Sequence, residues 1–180
     1  MDDLLIEFCR SGTLGPVALG MSPSDVVERI GKPSRIKNGQ GDDCFQRYSY
    51  SPLELSMRCF ARDAKIRHGA GRDLALASIT IQLNDGGPLI LPDVIARRPI
   101  TATPLQLGDA HRLLTDRGVE MTRDHDQMLM RTLDEASIHV VSDEDGFVLE
   151  ISARWRPRPG DWFYSEENEA GIWVSDTSRT

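Results

Sequence analysis

The residues with the greatest capacity for chemistry lie in one short polar run, Arg123, Asp124, His125 and Asp126. A carboxylate beside a histidine can orient the imidazole for proton transfer or for binding a metal ion. Neighbouring residues on a strand or in a turn point in different directions, so these side chains do not converge on one ion. The run is therefore predicted to be a solvated loop rather than an active site.

The other histidines and the glycine-rich segment give no stronger signal. His111 and His139 have no acidic or thiol side chains at the sequence spacing of metal ligands. Gly69 and Gly71 are not followed by the Lys-Ser or Lys-Thr pair of a phosphate-binding loop. The sequence therefore predicts no catalytic residue, no cofactor and no metal on any of the four histidines, His68 included. An enzyme of unrecognised type stays an alternative.

The overall charge limits the classes of partner. The 180 residues carry a formal net charge of -7 and are 39% hydrophobic, which suits one domain or two small ones. This balance argues against a nucleic-acid partner and also against an acidic partner. The one local positive patch is predicted in a loop at residues 61–73. No apolar run approaches the roughly 20 residues of a membrane-spanning helix, so no membrane association is predicted.

The cysteines and the first residues predict the cellular location. Cys9, Cys44 and Cys59 are odd in number and widely spaced, which is typical of buried thiols in a reducing compartment. Met1 is followed by two aspartates instead of the basic residues of an export signal. The sequence therefore predicts a cytoplasmic protein.

One stretch of the chain contains the start, the apolar stripe and the end of a single helix. Ser22 is placed as the N-cap, Pro23 takes the first helical position, and Asp25 follows three residues after the cap. Gly31 ends the helix, which is too short to be stable alone and therefore needs a sheet to pack on. Its apolar stripe consists of Val26, Val27 and Ile30.

The two halves of the chain show the same order of predicted elements. Each half has a short amphipathic helix followed by segments in which apolar and polar residues alternate as in half-buried strands. A further helix, capped by Asp2 and ended by Gly12, precedes them. The predicted strands are residues 44–50, 53–59 and 77–83 in the first half and, after a helix at 105–118, residues 128–133, 136–141 and 146–155 in the second half.

Weak internal similarity favours a duplication. Residues 56–60 match residues 137–141, and residues 77–83 match residues 149–155. The predicted fold is α+β, with short helices packed on an antiparallel β-sheet, as two tandem helix-plus-three-strand units. The units are predicted at residues 1–92 and 93–180, the second ending in an acidic aromatic tail, and one continuous domain stays an alternative.

Two surfaces are candidates for binding a partner. In the C-terminal tail, aromatic residues lie among acidic ones, and they either pack as a final strand on the domain edge or form an exposed recognition surface. The tail is favoured because its acids could steer a basic partner towards the aromatic anchors. The other candidate is the outward face of the sheet, where Gln46, Tyr48 and Tyr50 alternate. The predicted partner-binding residues are Trp162, Tyr164, Glu166, Glu167, Glu169, Trp173, Tyr48 and Tyr50.

The helix stretch also resembles a known signature. Leu19-Gly20-Met21-Ser22, followed by Asp25-Val26 and Ile30-Gly31-Lys32-Pro33, is similar to the "GM[ST]xxxVxxxxGxP" pattern of two groups. These are the small lipoprotein of the outer-membrane assembly machine and the beta-lactamase inhibitor protein. The resemblance implies helices packed on an antiparallel sheet, and the inhibitor carries that unit twice. In the second half only Leu107-Gly108-Asp109 echoes the signature. The sequence shows no signal peptide, no lipobox cysteine and no paired disulfides, so neither periplasmic assembly nor secreted enzyme inhibition is expected. The resemblance carries over the fold and no site residue.

Small acidic cytoplasmic proteins with this helix signature also resemble immunity proteins encoded beside bacterial toxins. This resemblance implies a protein that is not an enzyme and that neutralises a cognate protein toxin by direct contact. A non-enzymatic assembly or scaffold protein is the alternative function. The neighbouring reading frame would discriminate between them, since an immunity protein is encoded beside its toxin.

Overall fold

The computed structural model describes residues 1–38, 45–61, 73–83, 87–101, 104–156, 162–164 and 173–175. Three short helices pack against an antiparallel sheet, which confirms the predicted α+β class. The helices are α1 (Asp3–Ser11), α2 (Pro23–Ile30) and α3 (Leu107–Asp116). The strands are β1 (Arg35–Asn38), β2 (Phe45–Ser49), β3 (Leu53–Ala61), β4 (Asp73–Gln82), β5 (Pro88–Leu89), β6 (Ile100–Thr101), β7 (Thr122–His125), β8 (Met128–Thr132), β9 (Ala136–Ser142), β10 (Val148–Trp155), β11 (Trp162–Tyr164) and β12 (Trp173–Ser175).

Local capping determines where the first two helices begin, as the sequence predicts. The Asp2 side chain accepts a hydrogen bond from the amide of Leu4 at 2.9 Å. The Ser22 hydroxyl accepts one from the amide of Asp25 at 3.2 Å, and the Asp25 carboxylate accepts one from the amide of Ser22 at 3.4 Å. These reciprocal bonds form a capping box. Gly12 ends α1 with φ 73°, a conformation that residues with a Cβ rarely adopt.

We expect Ser22→Ala to lower the free energy of unfolding by about 1 kcal/mol, because the Asp25 amide loses its side-chain acceptor. Urea unfolding monitored by circular dichroism measures this difference. Ser22→Thr keeps the hydroxyl and should retain most of the lost stability. A Ser22→Ala curve that superimposes on the parent curve would contradict the importance of this cap.

The main sheet places the two halves of the chain side by side. Its strand order is β1-β2-β3-β4-β10-β9-β8-β7, and all neighbours are antiparallel. The halves meet where β4 pairs with β10, with Thr80 opposite Ser152. β11 pairs with β12 and with the end of β3, whereas β5 and β6 form a separate small sheet. Because α2 precedes β1–β4 and α3 precedes β7–β10, each half has the same order of elements.

One hydrophobic core lies between the helices and the sheet. It contains Phe8 from α1, Val26 from α2 and Leu114 from α3, together with buried strand residues such as Leu55 and Ile151. These residues come from both halves and belong to one continuous cluster. The predicted boundary between residues 92 and 93 lies in the connector between β5 and β6, and independent folding of the two units stays a prediction.

Two strands of the eight-strand path of the main sheet were missing from the prediction. β1 and β7 are paired in this path, so each half contributes four strands to it rather than three. β7 also includes Arg123, Asp124 and His125, so the prediction of a loop there is wrong, although their side chains are exposed as expected. Both strands are short, mostly polar and exposed at every position, so only pairing with their neighbours identifies them. The predicted basic loop lies, at residues 62–72, outside the described residues.

Candidate binding surface on the open face of the sheet

Within the described part of the chain, the helices pack on one face of the sheet. In the central strands, the residues on that face include Ile79, Ile138 and Ala153, which are completely buried. Successive side chains of a strand point to opposite faces, so the residues between them lie on the other face, here called the open face. Strand β9 shows this alternation, with Ser137, His139 and Val141 half-buried between buried neighbours.

Registered pairing across the strands places polar residues in two rows on the open face. The first row has seven members, of which three are cationic, four carry hydroxyl groups and none is acidic. In order across the sheet, the first row consists of Lys37, Arg47, Ser56, Ser78, Arg154, Ser137 and Thr132. Lys37 and Arg47 therefore lie at one end of the row, and Arg154 lies just past its centre. The small hydroxyl side chains of Ser56 and Ser78 lie between Arg47 and Arg154.

The second row lies two residues further along each strand. In the same strand order, it consists of Arg35, Ser49, Glu54, Thr80, Ser152, His139, Met130 and Thr122. Ser152 is fully buried at the middle of this row, and its hydroxyl has no hydrogen-bond partner among the described residues. The two rows together are called the binding face below.

At the β1 end of the binding face, positive charges are placed directly opposite each other. Lys37 and Arg47 are cross-strand neighbours, an arrangement that is destabilising for like charges. The Arg47 guanidinium lies 5.6 Å from the centre of the Phe45 ring, close enough for a cation–π contact. Among the described residues Arg47 pairs with Glu54, with 3.9 Å between Arg47 Nε and Glu54 Oε2, which is longer than a hydrogen bond.

Beyond the centre of the sheet, an acid partly balances the charge of Arg154. Glu150 accepts a hydrogen bond from the Gln82 side chain at 3.2 Å and lies 3.8 Å from the Arg154 guanidinium. The Arg154 side chain is 55% exposed, so this pair is screened by solvent and contributes little stability. Its guanidinium is therefore largely in contact with solvent.

His139 is the one histidine on the binding face. Its Nε2 lies 2.8 Å from the Ser137 hydroxyl and its Nδ1 lies 3.3 Å from the Met128 sulfur. Burial and the nearby Arg154 guanidinium lower the pKa of His139 below its ordinary value, while Asp124 and Glu150 oppose that change. Its imidazole is therefore neutral at neutral pH.

We expect the folded protein to lose stability as pH falls below about 6.5, the ordinary histidine value, because the unfolded chain protonates His139 more readily than the folded protein does. Above that pH the imidazole is neutral in both states and makes no difference. Urea unfolding at about pH 7.5 and about pH 5.5 should show a smaller drop for His139→Gln than for the parent. His125→Gln, at a side chain that is 77% exposed, is the control and should keep the parental drop.

The sequence predicted that Gln46, Tyr48 and Tyr50 lie on the outward face of the sheet, and this prediction is wrong. Tyr48 is only 6% exposed and belongs to the core, and it lies on the same face as its cross-strand partner Leu55. Gln46 accepts a hydrogen bond from the Tyr48 hydroxyl, and the Tyr50 hydroxyl donates one to the Gly31 carbonyl at the end of α2. These residues therefore lie on the helix side. Alternation identified the two sides of the strand, but not which side the helices cover.

The tail candidates are described only in part. Trp162 and Tyr164 lie in β11 and Trp173 lies in β12, so the backbone of these residues extends the sheet beside the end of β3. Glu166, Glu167 and Glu169 lie outside the described residues. The binding role of the tail therefore stays a prediction.

The remaining candidate side chains lie apart from the binding face. His111 lies within hydrogen-bond distance of the Met121 carbonyl at 3.1 Å, and Cys9 is buried in α1 with its thiol free. Burial raises the pKa of Cys9 to about 12, against the opposing effect of Arg131, so the sulfur is a neutral thiol. The side chains of Cys44 and Cys59 lie outside the described residues. Among the residues that the structure describes, no three His, Cys, Asp or Glu side chains come together as metal ligands.

No helix in the described ranges is long and apolar enough to span a membrane.

Comparisons with known proteins complete the description of the chain. No family model and no curated protein matches the sequence. A DUF4309 family protein from Bacillus subtilis resembles the structure with 11% identity and a TM-score of 0.44, covering 85% of this chain and 94% of its own. An extracellular protein containing an SCP domain from Bacillus anthracis has 9% identity and a TM-score of 0.40, and the match covers 76% of this chain but only 43% of that protein.

Proposed function

We propose that this protein is a cytoplasmic binding protein that neutralises a cognate bacterial toxin by direct contact through the binding face. The observation that carries the proposal is the pair of polar rows that cross the open face of the sheet. Rigid strands hold these side chains at fixed spacing, so little conformational entropy is lost when a partner binds. The toxin itself is inferred from the resemblance of residues 19–33 to the helix signature of immunity proteins.

The dimensions of the open face suit a protein partner. Eight strands about 4.8 Å apart span about 34 Å, and three rows about 7 Å apart span about 14 Å along the strands. The resulting area of about 480 Å² is more than half of the roughly 800 Å² that one partner contributes to a typical stable interface. The third of these rows includes Gln82, Glu150, Val141 and Met128.

A duplication, which we also propose, accounts for the width of this face. The matched segments 77–83 and 149–155 are 72 positions apart, and adding or subtracting 72 converts the pair Ile79–Ala153 into the observed pair Ile81–Ile151. This relation is expected for two repeats joined by a two-fold axis between β4 and β10. Ser56 pairs with Ser78, and the offset of 72 takes Ser78 to Glu150, which pairs with Val141. By strand pairing Ser56 therefore corresponds to Val141 rather than to Ser137, so the sequence match of residues 56–60 with 137–141 is displaced by four positions.

Blocking the centre of the binding face tests the proposed function. Thr80 is half-buried in the middle of the second row, and Thr80→Trp should place an indole where the partner docks. With the toxin encoded in the neighbouring reading frame, isothermal titration should show a dissociation constant at least about 100-fold weaker for this variant. Thr115→Trp, at an exposed position of α3, is the matched control and should bind like the parent.

Two results would contradict the proposal. One is unchanged toxin binding by a Thr80→Trp protein that keeps the parental melting temperature. The other is failure of the parent chain to protect cells that express the toxin, which would favour the assembly or scaffold alternative. Charge reversal of Glu166, Glu167 and Glu169 to Lys tests the tail in the same titration, and a selective loss of binding there would move the site to the tail.

A further inference from the structure

The charge of the binding face is opposite to the charge of the chain. The whole sequence has a net charge of -7, whereas the two rows carry four Arg or Lys side chains and one acid, Glu54. We propose that the partner presents an acidic protein surface to the first row, with its carboxylates next to Lys37 and Arg47. This inference rests on the proposed function, because it names the chemistry of the surface that the same binding face recognises.

The β1 end of the face is the part that most requires an anion. Lys37 and Arg47 repel each other across the strands, and Arg35 lies two residues from Lys37 on the same side of β1. Arg35 and Lys37 are exposed and have no ion pair within the described part of the chain. Arg47 Nε is buried without a hydrogen-bond partner there, and Glu54 at 3.9 Å is too far to accept one, so the charge of Arg47 is only partly balanced within the fold. A carboxylate above this cluster would relieve the repulsion and accept hydrogen bonds from both strands.

The spacing of the cations indicates an extended acidic surface rather than a single small anion. Arg47 and Arg154 are separated by three strand intervals, about 14 Å between their backbones, a spacing that suits separate acidic groups better than one carboxylate or phosphate group. Ser56 and Ser78 lie between them and can donate hydrogen bonds to further carboxylates. A protein surface offers separated acids of this kind. Glu54 and Glu150 would repel the continuous phosphate charge of a nucleic acid, which makes that partner the weaker match.

The sequence analysis argued against an acidic partner because the net charge of the chain is negative. The net charge sums the charges of all surfaces and does not describe any one of them. A partner at contact distance responds instead to the local field, since charges beyond about 8 Å are largely screened at physiological salt. Lys37 and Arg47, which are cross-strand neighbours, concentrate positive charge within that distance. Steering and recognition at the binding face are therefore governed by its own charges.

A titration of the full-length chain with model polyanions tests the inference without a known toxin. The ¹⁵N-labelled protein is titrated at low ionic strength with a decaglutamate peptide, a decalysine peptide and a short DNA duplex. We expect decaglutamate to bind most tightly and to shift the amide signals of β1 and β2. Lys37→Glu should weaken decaglutamate binding by about tenfold, and added salt should weaken the parental complex. Arg98→Glu, which makes the same charge change at an exposed connector position, should alter the affinity less than about twofold.

Several results would overturn the acidic-partner inference. The inference is wrong if decaglutamate does not bind, or if decalysine or DNA binds more tightly than decaglutamate. It is also wrong if the amide signals that shift lie only in strands other than β1 and β2, or if Lys37→Glu and Arg98→Glu weaken decaglutamate binding equally. The toxin titration separates this failure from failure of the proposed function. If Thr80→Trp abolishes toxin binding while Lys37→Glu leaves it unchanged, the proposed role of the binding face is supported and the inference of an acidic partner is wrong. If Lys37→Glu weakens toxin binding at least about tenfold and Arg98→Glu does not, the proposed function and the acidic-partner inference are both supported.

Discussion

Phe8→Ala is expected to lower the free energy of unfolding by about 3 to 5 kcal/mol, the largest effect of any truncation proposed for this chain. Phe8 is completely buried in α1, within the cluster that joins the helices to the sheet. Removing the ring loses its apolar contacts and leaves a cavity that the surrounding strands cannot fill without moving. Urea unfolding of the parent and the variant, with the slope of the transition fitted separately, measures the difference.

Phe147→Ala is the matched control for this experiment. The Phe147 side chain is 39% exposed at the turn before β10, so the same truncation should cost much less. A loss for Phe8→Ala below about 1 kcal/mol would show that α1 is not anchored in the core. A small loss for both would have the same meaning.

Ile151→Asp is expected to destabilise the whole sheet by at least about 4 kcal/mol, a large part of the roughly 5 to 15 kcal/mol that stabilises a typical domain. Ile151 is fully buried on β10, opposite Ile81 of β4, where the halves meet. A carboxylate there has no cationic partner in the paired strands and must be desolvated or protonated. We expect one cooperative transition in which amide signals of Val26 and Val140 disappear together.

Leu149→Asp introduces the same carboxylate two residues earlier in β10, at a side chain that is 37% exposed. It should leave most of the stability in place, because water still solvates the charge. Separate transitions for the amides of Val26 and Val140 in Ile151→Asp would indicate two independent domains. That result would support the predicted division between residues 92 and 93 over the single cooperative unit expected from the shared core.

The sequence determined the features that depend on near neighbours in the chain. The capping groups of α1 and α2 act over two to three residues, so Asp2 and Ser22 identify the helix starts directly. The burial pattern of β9 repeats every two residues, as predicted from alternating residue types. Short polar edge strands have no such pattern, because β1 and β7 are exposed on both sides and are defined by their pairing.

Only the tertiary structure decided which surface is available to a partner. Alternation gives a strand two sides, but Tyr48 is buried because the helices cover its side, and its own segment does not encode that choice. The binding face likewise combines Lys37 with Arg154, which are far apart in sequence and share a row because β4 pairs with β10. The register of strands distant in the chain depends on the packing of the complete core, so the charge of this face differs in sign from the charge of the sequence.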